Sequence, residues 1–197
     1  MRKLLHRLDH VLCRLANRVI FRLNRVECLT DLANITGTLR LAGNGRIRIG
    51  ARTRMNSGPR RNPIGGDTKL TLVCRRGGEI DIGPDCGLSN CAIVADSKVV
   101  LEAEVMLGGG VKIYDTDFHN VDPKLRRAEH AGTYHGVSRP VLIRRNAFIG
   151  AHSIILKGVT IGENSVIGAG SVVSRDIPDN EIWAGNPATL VRQITPS

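Results

Sequence analysis

Aliphatic residues return at every sixth position between Ile143 and Ile177, in the most regular pattern of the chain. A spacing of six matches neither the 3.6-residue turn of an α-helix nor the two-residue repeat of a strand. It is typical of a parallel β-helix of hexapeptide repeats, in which three short strands and three bends form each triangular coil. The inward-facing residues are predicted to be Ile143, Ile149, Ile155, Ile161, Ile167 and Val173, followed four positions later by Ala147, Ser153, Val159, Ser165, Ser171 and Ile177.

The same wall is predicted to start near residue 36 and to continue to about residue 118. The stretch from Asn56 to Asp67, which is rich in Pro and Gly, is predicted to be a loop that interrupts it. Further on, the spacing of six predicts that Ile82, Leu88 and Val94 point inward, with Cys86 and Ala92 at the small positions, before the register resets at Leu101, Leu107 and Ile113. We assign residues 36–182 to the β-helix and residues 183–197 to a C-terminal cap.

The register stops between His119 and Arg139, where charged residues replace the repeat. An excursion of this length inside so regular a wall is costly to keep ordered, so such loops often have a function. We therefore predict a protruding loop over residues 120–139.

Residues 1–30 differ from the rest of the chain. Leu4, Leu8, Leu12, Leu15, Val19 and Leu23 follow helical spacing, and no Gly or Pro interrupts them. Seven Lys or Arg against two acidic residues give this segment half of the net charge of +10. The basic amphipathic helix predicted for residues 2–26 has two interpretations: it lies on an anionic membrane surface, or its apolar face packs on the β-helix or on a neighbouring subunit. The charge does not indicate nucleic-acid binding, because no recognised binding module or stacking aromatics accompany it.

Composition supports a narrow prism in a reducing compartment. Aromatic residues make up only 3% of the 197 residues, and the five cysteines show no zinc spacing. Small buried or free thiols are therefore expected rather than a disulfide framework. No apolar run has the length of a membrane span, and no secretory signal is visible at the N-terminus. The expected location is the cytoplasm, where the protein could also contact the inner face of the membrane peripherally.

Three motifs carry a resemblance to a known family. They are residues 115–119 (DTDFH) before the loop, residues 139–141 (RPV) after it, and residues 182–188 (IWAGNPA) beyond the repeats. Together with the repeat tract, they closely resemble the hexapeptide-repeat O-acetyltransferases that modify maltose, nodulation factors and polysaccharides. The resemblance covers about residues 80–194. It implies a left-handed parallel β-helix, a homotrimer with active sites between subunits, acetyl-CoA as donor, and a loop that reaches toward the neighbouring protomer.

His119 is the predicted catalytic residue. A sugar hydroxyl is a weak nucleophile, so acyl transfer from a thioester needs a base, and histidine titrates in a suitable range. The resemblance implies that His119 is this base and that the acceptor attacks directly, with no acyl-enzyme. Asp115 and Asp117 could orient the imidazole, but they could equally accept hydrogen bonds from bend amides. The bend role is favoured for Asp115, and Asp117 is left undecided.

The resemblance also implies binding residues. Ala151 and Ala169 would offer backbone groups to the pantetheine of CoA, while cations would meet its phosphates. The implied CoA-binding set is Ala151, Lys157, Ala169, Ser174, Arg175, Pro187 and Arg192, and the implied acceptor-binding set is Ser89, Asn90, Asp117 and Trp183. Ser89 and Asn90 are alternatives for one position that is asparagine in several relatives.

Two rival functions remain open at this point. His130 and His135 in the loop raise the possibility of a zinc enzyme like the γ-class carbonic anhydrases, which share the repeat fold. The third ligand expected on a more distant coil is missing, so no metal is expected. A non-catalytic β-helix scaffold is the second rival. The favoured function is O-acetylation of a sugar hydroxyl, in a cell-surface polysaccharide or its lipid-linked precursor.

Overall fold

The chain forms an N-terminal helix followed by a three-sided β-helix. The structure is a computed structural model that describes residues 2–59, 61–62, 64, 68–129 and 136–195, with side chains from residue 8 onward except that of Glu129. The helix α1 spans Arg2–Leu23, a short 3-10 turn spans Leu32–Asn34, and a second helix, α2, spans Pro123–Glu129.

Twenty short strands follow α1 in the part of the chain that the structure describes. In chain order they are β1 (Glu27–Cys28), β2 (Ile35–Thr36), β3 (Arg40–Gly43), β4 (Arg46–Ile49), β5 (Arg54–Asn56), β6 (Thr71–Cys74), β7 (Glu79–Ile82), β8 (Gly87–Ser89), β9 (Ala92–Ala95), β10 (Lys98–Leu101), β11 (Met106–Leu107), β12 (Lys112–Tyr114), β13 (Val141–Ile143), β14 (Phe148–Ile149), β15 (Ile154–Ile155), β16 (Thr160–Ile161), β17 (Val166–Ile167), β18 (Val172–Val173), β19 (Glu181–Gly185) and β20 (Ala188–Gln193).

From β1 to β18, strands three places apart pair in parallel, so every coil contributes one strand to each of three sheets. The first sheet runs β1-β4-β7-β10-β13-β16, the second β2-β5-β8-β11-β14-β17-β19-β20, and the third β3-β6-β9-β12-β15-β18. Parallel stacking with a constant offset of three strands is the topology of a three-sided parallel β-helix. The predicted fold, a left-handed parallel β-helix with an N-terminal helix and a protruding loop, is confirmed.

The six-residue register builds the core as predicted. Ile143, Ile149, Ile155, Ile161 and Ile167 are all fully buried, and each stacks on its counterpart in the next coil. Glycines let the coils approach at the bends. A Cβ at Gly150 would lie 2.5 Å from the backbone nitrogen of Ala169, a distance at which the two coils would have to separate.

One coil departs from the predicted register. Ile93 rather than Val94 points inward, and Ala92 faces outward. The chain advances three positions between the inward residues Leu88 and Cys91, whereas it advances four from Leu107 to Val111 and from Ile149 to Ser153 in later coils, so the bend between β8 and β9 is one residue shorter. The prediction for Val94 and Ala92 was therefore wrong, since a shortened bend is invisible to a strict sixfold count.

The β-helix begins earlier than the sequence predicted. Strand β1 pairs with β4 in the first sheet, so the wall starts at Glu27 rather than at residue 36. The loop after β5 interrupts the wall where the Pro- and Gly-rich stretch predicted it, and the excursion after β12 contains α2.

Both ends of the prism carry additional elements. At the N-terminal end, Asn17 of α1 donates its side-chain amide to the Gly37 carbonyl at 2.9 Å and accepts from the Leu39 amide at 3.1 Å. At the other end, β20 pairs antiparallel with β19 and adds a last strand to the second sheet. These contacts satisfy backbone groups that have no further coil to pair with.

The five cysteines are free thiols of unequal reactivity. Burial raises the pKa of Cys74 and Cys91 to about 12 and that of Cys86 to about 11. Because the thiolate is the reactive form, we expect a disulfide reagent at about pH 8 to modify Cys13 and, more slowly because burial also raises its pKa, Cys28 in the folded protein. The other three should react only after unfolding. Counting released thiols with and without denaturant checks this, and rapid reaction of all five in the native state would contradict it.

Candidate active site

The excursion after β12 leaves the wall through a hydrogen-bonded neck. Thr116 forms an isolated antiparallel bridge with Ser138. On either side of this bridge, the Asp117 amide donates to the Val137 carbonyl at 3.2 Å and the Arg139 amide donates to the Asp115 carbonyl at 2.8 Å. The neck joins residues 115–117 to residues 137–139 and fixes where the loop starts.

His119 lies two residues beyond the neck and is exposed. The preceding residue is anchored: the Phe118 ring packs edge-on against Tyr114, with 5.0 Å between centroids, and the Arg75 guanidinium lies 5.2 Å from its ring centroid. Arg75 is itself held by two hydrogen bonds to Asp96, of 2.8 and 3.0 Å. His119 is therefore an accessible imidazole carried by a rigid backbone, as the base hypothesis requires.

Asp115 supports this edge from inside the wall. Its side chain is fully buried, and its two oxygens accept from the amides of Asp96 at 2.8 Å and Ser97 at 2.7 Å, which belong to the bend of the coil below. Burial raises the pKa of this carboxyl, and the hydrogen bonds act in the opposite direction. Asp115 therefore has the bend role rather than a contact with the imidazole.

Asp117 pairs with a residue of the next coil. Lys157 donates to its carboxylate at 2.6 Å, and both side chains are about 30% exposed. A partly exposed ion pair of this kind contributes little stability, on the order of 1 kcal/mol or less. The sequence assigned Asp117 to the acceptor and Lys157 to the CoA phosphates, whereas the structure joins them to each other beside the neck.

The predicted residues are distributed over two edges of the prism. The described residues of the His119 edge, where the third sheet turns into the first, are 75–78, 96–97, 115–129, 136–140, 156–159 and 174–176, and include Ser174 and Arg175. The described residues of the Ala151 edge, where the second sheet turns into the third, are 57–59, 61–62, 64, 68–70, 90–91, 108–111, 150–153 and 168–171. The third sheet lies between them, so the edges are separated by the length of its two- to four-residue strands, about 7–13 Å.

Small residues are stacked along the Ala151 edge. The Gly170 amide donates to the Ala151 carbonyl at 2.8 Å, which places Ala169 one coil beyond Ala151. A Cβ on Gly170 would meet no atom within 4 Å, so this part of the edge is open. Ala151 is partly exposed and Ala169 is exposed, so this stretch of the edge is open to solvent.

Trp183 closes the last coil. Its indole nitrogen donates to the Glu181 carboxylate at 2.7 Å, and its half-buried ring packs on the core. Pro187 and Arg192 are exposed on the β19–β20 hairpin beside it. The predicted CoA-binding residues therefore lie partly on the Ala151 edge and hairpin and partly on the His119 edge.

A cavity of about 400 Å³ lies on the outer face of the second sheet, beneath the loop after β5. Gly87, Met106 and Phe148 form its base, and it is lined further by Arg54, Asn56, Asn62, Ile64, Asp85, Cys86, Leu88, Ser89, Leu107, Gly108 and Gly109. Its mixed apolar and hydrogen-bonding surface is typical of small-molecule sites. We call it the sheet-two pocket.

The sheet-two pocket distinguishes between Ser89 and Asn90, the two alternatives for the acceptor contact. Ser89 lines the pocket, and its hydroxyl accepts from Asn56 at 3.2 Å. The side chain of Asn90 is buried and makes two hydrogen bonds to the backbone of Gly58, of 2.8 and 3.2 Å. Asn90 therefore holds the loop in place and does not line the pocket.

Sequence reasoning missed the pocket residues Arg54 and Asn62. The Asn62 side chain is 8% exposed, its oxygen accepts from the Ile64 amide, and its nitrogen has no hydrogen-bond partner among the described residues. The early Pro- and Gly-rich loop was the available signal. It was interpreted only as an interruption of the wall.

The histidines of the metal hypothesis, His130 and His135, lie outside the described residues. Within the part of the chain that the structure describes, no group of three His, Cys, Asp or Glu side chains is arranged to hold a metal ion.

Comparisons with known proteins agree with the family resemblance. The bacterial transferase hexapeptide model (six repeats) matches residues 140–175. Over 127 residues the chain is 41% identical to a candidate acetyltransferase of Saccharomyces cerevisiae, covering 63% of this chain and 61% of the relative. The chain therefore spans about three fifths of the length of that curated relative.

Two solved structures extend the similarity. A hexapeptide-repeat acetyltransferase of Vibrio cholerae, solved with acetyl coenzyme A, is 28% identical with a TM-score of 0.57, covering 64% of this chain and 66% of the other. A galactoside acetyltransferase in complex with coenzyme A is 31% identical with a TM-score of 0.55, covering 80% and 66%. The resemblance to hexapeptide-repeat acetyltransferases, stated above from the motifs, is confirmed.

Proposed function

We propose that this hexapeptide-repeat chain is an acetyl-CoA-dependent O-acetyltransferase that acetylates a hydroxyl of a sugar, in a cell-surface polysaccharide or its precursor. The observation that carries the proposal is the exposed His119 on a hydrogen-bonded neck, in a chain similar to acetyltransferases solved with coenzyme A or acetyl coenzyme A. An accessible imidazole on a rigid edge suits a general base.

In the proposed reaction, His119 accepts the proton of the acceptor hydroxyl while its oxygen attacks the thioester carbonyl. The C–O bond forms, the C–S bond breaks, and CoA leaves as a thiolate that recovers the proton from the imidazolium. A leaving thiol with a pKa of about 8.5 makes this step favourable near neutral pH. Of the two nearby carboxylates, Asp115 keeps the neck in place and Asp117 is neutralised by Lys157.

The Ala151 edge is the proposed seat of the pantetheine arm, because Ala151 and Ala169 lie open to solvent one coil apart there. Ser174 and Arg175 on the other edge, and Pro187 and Arg192 on the hairpin, are exposed and are proposed to meet the nucleotide end. Arginine suits phosphate because its planar fork can make two parallel hydrogen bonds. Lys157 is the weaker candidate, since its ammonium already pairs with Asp117.

A homotrimer would bring the two edges together. Within one chain His119 and the sheet-two pocket lie on different sides of the prism, so a single chain does not place the base beside Ser89. When identical prisms pack side by side, the His119 edge of one copy faces another side of its neighbour. Repeating this contact by rotation closes a ring of three copies. We propose that each site combines His119 of one copy with the pocket of its neighbour, and that the enzyme works in the cytoplasm.

Mixed assemblies test this arrangement. Gly87→Phe fills the pocket without a backbone clash, because a Cβ at Gly87 meets only the Met106 side chain, at 3.8 Å. Gly87→Phe and His119→Ala should each be inactive alone. Coexpressed and randomly mixed, they should recover about a quarter of wild-type activity, since one of four neighbour combinations supplies both an intact base and an intact pocket. CoA release with an accepted sugar is the measurement.

Thr160→Phe is the matched control, because it adds the same ring to an outward position of the first sheet, away from the pocket. It should retain activity. Mixtures as inactive as the separate variants, in assemblies shown to contain both chains, would contradict the shared site. A screen of sugars for acetyl-CoA-dependent thiol release identifies the acceptor class, and release with none of a broad set of mono- and oligosaccharides would contradict the sugar assignment.

A further inference from the structure

Helix α1 packs on the β-helix through an unexpected face. Asn17 is fully buried and Phe21 is 6% exposed, and both point toward the first coil. Ile20 packs against the same core. The face that holds α1 in place is therefore a small polar and aromatic one.

The aliphatic stripe of α1 points away from the prism. Within the described part of the helix it consists of Leu8, Val11, Leu12, Leu15, Val19 and Leu23, whose exposure ranges from 52% to 78%. The expectation that this stripe packs on the chain's own β-helix was therefore wrong, because Asn17 and Phe21 take that position. Contiguous exposed apolar surface of this kind marks an interaction site.

Cations border the stripe. Arg14, Arg18 and Arg22 follow one another at i, i+4 and i+8 beside it, and Arg25 lies just beyond the helix. None of these four makes an ion pair with an acidic residue of the described chain.

A cavity lies at the C-terminal end of this cationic row. Arg18, Arg22 and Arg25 line about 280 Å³ together with the apolar side chains of Phe21 and Val26. The other charge on the helix within the described side chains, Asp9, is paired with Arg61. The exposed surface of α1 therefore combines an aliphatic stripe with uncompensated positive charge.

We propose that α1 lies in the surface of an anionic lipid bilayer, with the stripe among the acyl chains and Arg14, Arg18, Arg22 and Arg25 at the lipid phosphates. No described helix is long and apolar enough to span a bilayer, so the contact is peripheral. A second copy of this chain fits the stripe less well, because symmetric packing of two stripes would bring their unpaired arginines together. An anionic headgroup layer instead supplies the missing counter-charge.

Vesicle sedimentation of the full chain tests the proposal. The protein should bind phosphatidylcholine vesicles that contain phosphatidylglycerol, and should bind pure phosphatidylcholine at least about tenfold less, with the difference reduced by salt. Arg18→Gln with Arg22→Gln and Arg25→Gln should weaken binding to the anionic vesicles by about a hundredfold, because each arginine contributes about fivefold near the surface. Leu12→Gln with Leu15→Gln and Val19→Gln should abolish it.

The control removes the same three charges elsewhere, as Arg40→Gln with Arg144→Gln and Arg145→Gln, and should bind like the wild type. If the triple apolar variant does not fold, the single change Leu15→Glu, at an exposed position, tests the stripe in its place. No binding of the wild type to the anionic vesicles would overturn the proposal. So would binding that survives both triple changes, or a stripe variant that changes the oligomeric state while binding is unaffected. Acetyl transfer to a free sugar should be unchanged in the helix variants, so this proposal can fail independently of the proposed function.

Discussion

Replacing His119 by alanine is expected to lower the turnover number by a factor of about 100 to 10,000, the contribution of a positioned general base. The side chain is exposed beyond the neck, so its removal creates no cavity in the core. The melting temperature, the assembly state and the affinity for CoA should therefore stay at their wild-type values. Thiol release under saturating acetyl-CoA and acceptor measures the turnover.

His10→Gln is the matched control, because it removes a histidine from α1, away from the neck, and keeps a helix-compatible side chain. It should change turnover less than about twofold if the loss follows from the proton transfer alone. Normal turnover of the His119→Ala enzyme would contradict the assignment of His119 as the general base. Zinc-dependent hydration of carbon dioxide by the wild type would instead support the carbonic anhydrase alternative.

Asp115→Ala is expected to cost about 2–5 kcal/mol of folding free energy, because it leaves the buried amides of Asp96 and Ser97 without an acceptor. For a chain of this size the corresponding fall in melting temperature is about 5–15 °C. The amides belong to the coil beneath the neck, so the support of His119 should weaken as well. Thermal unfolding and turnover measured below the transition separate the two effects.

Asp176→Ala provides the comparison for Asp115. Its carboxylate also accepts from a backbone amide, that of Thr160 at 2.7 Å, but Asp176 is exposed and water can replace the lost acceptor. Its cost should stay below about 1 kcal/mol. Equal losses for the two variants, or an Asp115→Ala protein that melts within about 2 °C of the wild type, would contradict the role assigned to Asp115.

The register of the wall could be predicted because each inward residue has the same surroundings in every coil. Ile143 through Val173 meet this condition, and the count of six holds there. It fails at Val94, because the bend at Asn90 is one residue shorter than the equivalent bends of the later coils. Local backbone geometry of this kind leaves no periodic signal.

The candidate site was predictable in part, and for different reasons. The motif placed His119 beside a loop. It could not distinguish Ser89 from Asn90, because the hydrogen bonds that hold Asn90 away from the pocket come from the distant residue Gly58. The pairing of Asp117 with Lys157 joins residues from separate coils, and a linear pattern does not contain it. The direction of the α1 stripe was also hidden, since hydrophobic periodicity identifies a face but not its neighbour.

The capped ends of the prism have a consequence for solubility. A stack of parallel coils exposes unpaired backbone groups at its first and last turn, where another molecule could add its own strands and extend the stack into a fibre. The amide of Asn17 occupies two such groups at Gly37 and Leu39, and the β20 hairpin closes the opposite edge of the second sheet. The helix and the hairpin thus block end-to-end polymerisation, and the sides of the prism remain as the surfaces for assembly.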